Sequence, residues 1–302
     1  MPLHDKKSIL IDLKKHKSFL DKNIEKYIKT LDAPKEIKNI MVYAILGGGK
    51  RIRPFLLAET AKLYGISSSV YKYPCMAVEL AHCFSLVYDD LPCMDNDDLR
   101  RGKATVHKAF NEANALLGGA SLLVYSFKLL SLNSFKINIE DKLKIINIFS
   151  DVTGAEGVLS GQYLDLLAEN KKFKLTLKNF KEIQKKKTSL LIAFSTLTGA
   201  IIGNATKKEQ KDMFDIGLLI GSLFQIQDDI LDQEGNEEEM GKKVRKDKDL
   251  NKATIIRIKD INYAKKEVIK VGSKIKKKLL LINKNTEKLI KLTNFLMHRT
   301  SY

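Results

Sequence analysis

The sequence predicts an all-α protein, a bundle of helices wrapped around central buried ones, and three observations predict it. All five prolines (Pro2, Pro34, Pro54, Pro74, Pro92) precede residue 93, so the last two thirds of the chain carry no helix-breaking ring. Apolar residues recur there at three- and four-residue spacings, the pattern of helices buried along one face. No strict alternation bounded by turn residues reads as a strand, and the Asn-Gly and Asp-Gly pairs that close tight hairpins are absent.

The elements follow from the breaks between them. Breaks are predicted at Gly47-Gly48-Gly49, at 65–69, from Pro92 to Gly102, at 131–138, at 233–252 and at 283–286. The first segment, MPLHDKKSILIDLKKHK, is charged throughout and lacks the apolar core of a signal peptide. Residues 189–206 carry no charge, but their Thr, Ser, Gly and Asn content reads as a helix buried in a bundle rather than a membrane span. Residues 113–127 read the same way. No linker or fixed-period repeat divides the chain, so residues 1–302 are expected to form one domain.

Composition narrows the function. The net charge of +17 comes from 53 basic and 36 acidic residues, and the basic set is 46 Lys against only 7 Arg. The lysines are spread along the chain and accompany no nucleic-acid motif, so a nucleic-acid partner is not expected. Cys75, Cys83 and Cys93 form no CxxC pair. They read as packed free thiols in a reducing, cytoplasmic setting.

Two acidic clusters stand out. One is Asp89-Asp90-Leu91-Pro92-Cys93-Met94-Asp95, followed by Asn96 to Gly102; the other is Asp228-Asp229-Ile230-Leu231-Asp232. Each follows a mostly apolar run, and carboxylates at the end of a buried helix are costly without a compensating cation. Asp228 and Asp232 lie about 40° apart around a helix and share a face. Asp89 and Asp95 would splay on an unbroken helix, so Pro92 is expected to turn the chain back. With no His or Cys inside either cluster, the donors are hard oxygens suited to Mg²⁺.

Four of the seven arginines fall in two close pairs. Arg51 and Arg53 follow the glycine run in Gly47-Gly48-Gly49-Lys50-Arg51-Ile52-Arg53, and Arg100 and Arg101 follow the first cluster. In a lysine-rich chain, such placement points to bidentate phosphate recognition. Arg51 is equally readable as a structural ion pair, His82 as a core histidine and Phe84 as core packing. The residues alone describe a helical cavity in which Mg²⁺ would bridge two aspartate clusters and a polyphosphate whose remainder is apolar.

The stretches LGGGKRIRPFL, AVELAHCFSLVYDDLPCMDNDDLRRG, SGQYLDL, KKKTSLL and FQIQDDILD occur in this order from Leu46 to Asp232. Together they resemble the short-chain trans-isoprenyl diphosphate synthases, most nearly the bacterial farnesyl diphosphate synthases. The resemblance implies the isoprenoid-synthase type of helical bundle around a deep cavity, usually a homodimer. It implies that Asp89, Asp95 and Asp228, with Asp229 and Asp232, hold about three Mg²⁺ ions, Mn²⁺ being the alternative, on an allylic diphosphate. Arg100, Lys187, Thr188, Gln225, Lys242 and Lys252 would contact that diphosphate. Gly49, Lys50, Arg53, His82 and Arg101 would bind isopentenyl diphosphate. Gln162 and Asp165 match a polar pair on a central helix. Phe84, five residues before Asp89 and about 7.5 Å back along a helix, would close the floor of the prenyl pocket beside Ser85.

Some positions depart from the family pattern. Gly119-Ala120 stands where a Gly-Asp pair is usual, Tyr88 where His is frequent, and Ile255-Ile256 where Tyr-Pro is common. None removes an expected metal ligand. Alternatives that remain open here are a geranylgeranyl diphosphate synthase, a non-catalytic partner subunit and a basic nucleic-acid-binding protein.

Overall fold

The structure is a computed structural model that describes residues 3–170, 172–234 and 252–299. It is all-α, as the proline and spacing patterns predict. In chain order come α1 (Leu3–Lys29), α2 (Lys35–Leu46), α3 (Ile52–Leu63), α4 (Ser68–Asp89), a short α5 (Val106–Ala109), α6 (Glu112–Ser131), α7 (Ile139–Thr153), α8 (Val158–Glu169) and α9 (Leu177–Gln184). A π-helical turn (Lys185–Ser189) leads into α10 (Leu190–Ile202) and then α11 (Lys207–Glu234). The described C-terminal part holds a short α12 (Ile255–Ile258), α13 (Ile261–Leu280) and α14 (Glu287–His298).

Local chemistry starts several of these helices. Asn111, Asn138, Thr176 and Asp260 accept a hydrogen bond from the backbone N–H three residues on, which caps α6, α7, α9 and α13. The apolar faces then fill two main cores. One joins α1, α2, α4, α6 and α7 around Leu80, Phe84, Leu122 and Phe149. The other joins α3, α10, α11, α13 and α14 around Phe55, Ile192, Ile220 and Leu292. Asp89 ends α4 in the first assembly, and Asp228 sits near the end of α11 in the second.

The structure refines three expectations. The uncharged run 189–206 is buried as predicted, yet it is not one helix: α10 ends at Ile202, and Gly203 and the left-handed Asn204 (φ 52°) turn the chain. A two-residue antiparallel hairpin, Leu99-Arg100 against Lys103-Ala104, appears where no strand was expected. Arg101 and Gly102 both take positive φ there (54° and 76°), the geometry of a tight hairpin turn that needs no Asn-Gly. Cys75 and Cys83 are buried, whereas Cys93, in the loop after Pro92, is exposed.

By length and composition, α6 is one helix among the described residues that could cross a membrane. Its Ala115, Gly118, Gly119, Leu122 and Leu129 are buried, with α2 and α4 packed against it.

Candidate active site

The first acidic cluster folds back on itself. Past Asp89 the chain reverses, and the Asp95 N–H donates to the Asp89 carbonyl at 2.8 Å while the Asp97 N–H donates to the Asp90 carbonyl at 3.2 Å. Asn96 supplies a left-handed residue (φ 48°) for the reversal. Asp95 therefore returns beside Asp89. Arg100, on the hairpin, forks onto the buried Asp90, with Nε 2.7 and 2.9 Å from its two oxygens. The buried Asp89 Oδ1 has no hydrogen-bond partner. Burial pushes the Asp89 carboxyl up to about 6, with Lys187 opposing and Asp95 reinforcing the shift.

Two lysines reach this cluster from distant parts of the chain. Lys187 lies in the π-helical turn, which packs so closely on α8 that a Cβ on Gly161 would sit 2.2 Å from the Lys187 nitrogen. Its Nζ donates to Asp165 at 2.6 Å. Burial disfavours its charge, but Asp89, Asp165 and Asp95 outweigh burial and raise its pKa. Lys252 Nζ lies 2.6 Å from Asp95, 2.5 Å from Glu169 and 3.7 Å from Asp165. Burial works to raise the Asp95 pKa, yet Lys252 and Lys187 prevail and hold it below the usual range.

The second cluster is divided between scaffold and site. Asp229 is buried and accepts from Gln225 Nε2 at 3.0 Å and from the Ile255 N–H at 2.8 Å. Thr188 Oγ1 donates in turn to Gln225 Oε1 at 3.0 Å. A chain of side chains thus ties the π-helical turn, α11 and α12. Asp232 is also buried. Asp228 is paired with Arg299, whose guanidinium also donates to the Phe224 carbonyl at 2.9 Å and lies 4.2 Å from the Phe224 ring centroid.

The glycine loop forms the cationic wall. Gly48 and Gly49 have φ of 119° and 96°, which favour glycine. Arg51 is the buried structural residue of the pair: its guanidinium bonds Asp21 at 2.8 Å, Glu79 at 2.9 Å and the carbonyls of Gly48 and Ile45. Arg101 crosses from the hairpin to the same Gly48 carbonyl at 2.7 Å, and a Cβ on Gly49 would lie 2.4 Å from its Nη1. Arg53 Nη1 donates to His82 Nε2 at 3.1 Å. Burial first, then Arg53 and Arg101, drive the His82 pKa well down, so the imidazole is neutral and accepts. Lys50 falls to about 8 through burial, Arg299 and Arg101, against Asp228. The pull of Asp228 on Lys50 and Arg53 places this wall beside the second cluster.

Below Asp89 on α4, Ser85 turns its hydroxyl to the His82 carbonyl at 2.9 Å. Phe84 is buried, with its ring centroid 4.6 Å from that of Tyr88. Lys242 lies outside the described residues.

Two clusters of carboxylates with interleaved cations, one beside a backbone loop opened by glycines, make a site for polyanions. Among the described residues no three carboxylate, imidazole or thiol groups converge into a ready metal site. The unpartnered, buried Asp89 Oδ1 and the oxygen-only donors of both clusters nevertheless fit a hard divalent cation completed by ligand oxygens.

The polyprenyl synthetase family model matches residues 34–292. The chain belongs to the polyprenyl synthetase family. It is 39% identical over 257 residues to a farnesyl diphosphate synthase of Geobacillus stearothermophilus, covering 85% of this chain and 86% of that protein. It is 37% identical to geranylgeranyl pyrophosphate synthase 4 of Arabidopsis thaliana, covering 88% of this chain and 72% of that one. Among solved structures, a geranyltransferase from Legionella pneumophila superposes with a TM-score of 0.87 at 28% identity, over 98% of both chains. A geranyltransferase from Helicobacter pylori, complexed with magnesium and isoprenyl diphosphate, gives 0.79 at 28% identity, over 94% of this chain and 95% of that one. This polyprenyl synthetase is a trans-prenyltransferase close to the bacterial farnesyl diphosphate synthases.

Three residues of the site escaped the sequence reading as site residues. Asp90 was one aspartate in a run, and only the fork of Arg100 assigns it. Glu169 gave no signal. Arg299 did: it is one of seven arginines in a lysine-rich chain, and it joins the four already noted.

Proposed function

We propose that this chain condenses isopentenyl diphosphate with dimethylallyl or geranyl diphosphate, through ionisation, condensation and elimination, to form farnesyl diphosphate. The observation that carries this reading is the pairing of two aspartate clusters with two separate cationic groups, one for each diphosphate. Asp89, Asp95 and Asp228, with Asp232 close by, would hold Mg²⁺ against the allylic diphosphate. When bound, that metal acts as a Lewis acid on the departing diphosphate. Asp229 supports the site from behind through Gln225 and Ile255.

Lys187, Lys252 and Arg100 stand around the first cluster and would bind the leaving diphosphate as the allylic C–O bond breaks. Thr188 and Gln225 present oxygens to the electron-poor carbon. Lys50, Arg53 and Arg101, with the Gly49 backbone, would hold isopentenyl diphosphate, and neutral His82 orients Arg53. The isopentenyl double bond then attacks, and the proton it loses passes to the released diphosphate, so no side-chain base is needed. Keeping water from the cationic carbon would protect it until the double bond attacks.

The partner of this chain is a second copy. Leu116, Leu117 and Val124 on α6 are exposed large apolar residues on one helix, the kind of surface that a homodimer covers. The unit is a single catalytic domain, and the free thiols suit a cytoplasmic enzyme. A geranylgeranyl product is the second reading, favoured by the similarity to the Arabidopsis enzyme.

One assay tests the proposal. The protein is incubated with Mg²⁺, geranyl diphosphate and labelled isopentenyl diphosphate, and diphosphate release and product length are read together. Farnesyl diphosphate is expected. A geranylgeranyl product selects the second reading, and no turnover overturns both. Light scattering during gel filtration is expected to give twice the chain mass.

A further inference from the structure

Helix α4 carries two neighbouring stripes beneath Asp89. Ser85 is four residues before Asp89 and lies on its face. Phe84 and Tyr88 are also four apart and share the adjacent face, about 100° round the helix. That second face meets α6. The Phe84 and Tyr88 rings touch at 4.6 Å between centroids, with their planes tilted by 58°.

Tyr88 in turn is pinned by α6. A Cβ built on Gly119 would lie 2.6 Å from Tyr88 Cε2 and 2.9 Å from Cδ2, closer than real atoms approach. The ring therefore occupies the place a side chain at 119 would take. Its hydroxyl donates only a long bond, 3.3 Å, to the Leu116 carbonyl. Gly119, Tyr88 and Phe84 form a three-part stack, from the α6 backbone through one ring to the next.

We propose that Tyr88, seated on Gly119, is a second determinant of product chain length, a positioning residue that holds Phe84 in place at the end of the prenyl pocket. This rests on the reading of Phe84 as the pocket floor. The mechanism is steric. Phe84 is one of a close-packed set, and it moves only into space that a neighbour gives up. Removing the Tyr88 ring opens room toward α6, into which Phe84 retreats and the pocket deepens. Adding a methyl at 119 drives the Tyr88 ring off α6 and toward Phe84, and the pocket shortens. The ring and not the hydroxyl does this.

The test measures product distribution with labelled isopentenyl diphosphate for a set of variants. Tyr88→Ala is expected to raise the ratio of geranylgeranyl to farnesyl product about tenfold, the scale on which a hydrophobic pocket discriminates by one methylene. Tyr88→Phe is expected to keep the parent distribution. Gly119→Ala is expected to shift product toward geranyl diphosphate. In a Phe84→Ala background, Tyr88→Ala is expected to add little, because it acts through the same ring. If Phe84→Ala lengthens the product while Tyr88→Ala and Gly119→Ala leave it unchanged, this inference falls and the reading of Phe84 as the floor stands. If none of the three changes product length, both fall. Should Tyr88→Ala fail to fold, as judged by circular dichroism, Gly119→Ala carries the test alone.

Discussion

Lys252 Nζ sits 2.6 Å from Asp95 Oδ1, although 157 residues separate them. The same ammonium reaches Glu169 and Asp165, so one lysine gathers three carboxylates from two segments of the chain. Three residues on, the Ile255 N–H donates to Asp229. The 252–255 segment is therefore a clasp between the first aspartate cluster and the second. Replacing Lys252 by Ala leaves Lys187 as the neighbouring ammonium for Asp95 and Asp165. The KM for the allylic diphosphate is expected to rise by about tenfold to a hundredfold, the scale of a lost charge-assisted hydrogen bond. Lys252→Arg is expected to restore part of it. Steady-state kinetics with geranyl diphosphate varied will check this, and an unchanged KM would contradict it.

Asp89 is the buried carboxylate with an unpartnered oxygen. Asp89→Asn preserves its shape and removes its charge. The expected result is a folded protein, by circular dichroism, whose kcat falls by about a thousandfold, consistent with the several kcal/mol that metal-assisted charge stabilisation supplies. Parent-like turnover in this variant would remove Asp89 from the metal site.

Lys50 titrates in a range that kinetics can reach. Its pKa of about 8 lies below the ordinary 10.5, because burial and the cations Arg299 and Arg101 disfavour its charge. Between pH 8 and 10.5 the unfolded chain binds the extra proton, so this residue adds stability as pH rises through that window. Diphosphate binding has the opposite sign, since it needs the ammonium. The KM for isopentenyl diphosphate is expected to climb as pH passes 8. Lys50→Arg, which stays charged, is expected to abolish that break. A pH profile of KM for both proteins checks it.

Arg51 is expected to matter for stability first. Arg51→Met strands Glu79, which is 2% exposed, without its guanidinium. The loss is expected to be about 3–5 kcal/mol, the scale of a broken buried ion pair, read from the denaturant midpoint. Replacing Glu79 by Leu in the same chain should recover part of it, because the stranded charge is then gone.

Arg51 also shows where sequence reading stopped. Its position beside Lys50 and Arg53 marked it as important but left phosphate contact and structural pairing equally open. Only the packing of α1 and α4 against the loop, which brings Asp21 and Glu79 to its guanidinium, decides between them. Arg100 is a similar case. Its place after the first cluster points to the diphosphate, and the structure adds its fork onto Asp90, which no sequence pattern shows. Glu169 could not be read at all, since an isolated Glu at a helix end carries no pattern.

Features that depend on local rules were legible in the chain. Proline placement and apolar spacing set the helical class, because helix formation and one-sided burial act within a few turns of chain. The two aspartate clusters and the scarce arginines set the chemistry, because charge next to apolar surface demands a partner. Which charges meet depends on the packed fold. Lys252 reaches Asp95, Arg299 reaches Asp228 and Arg51 turns inward because packed helices bring distant backbone positions within side-chain reach, and electrostatic pairing acts over that distance in space, whatever the separation along the chain.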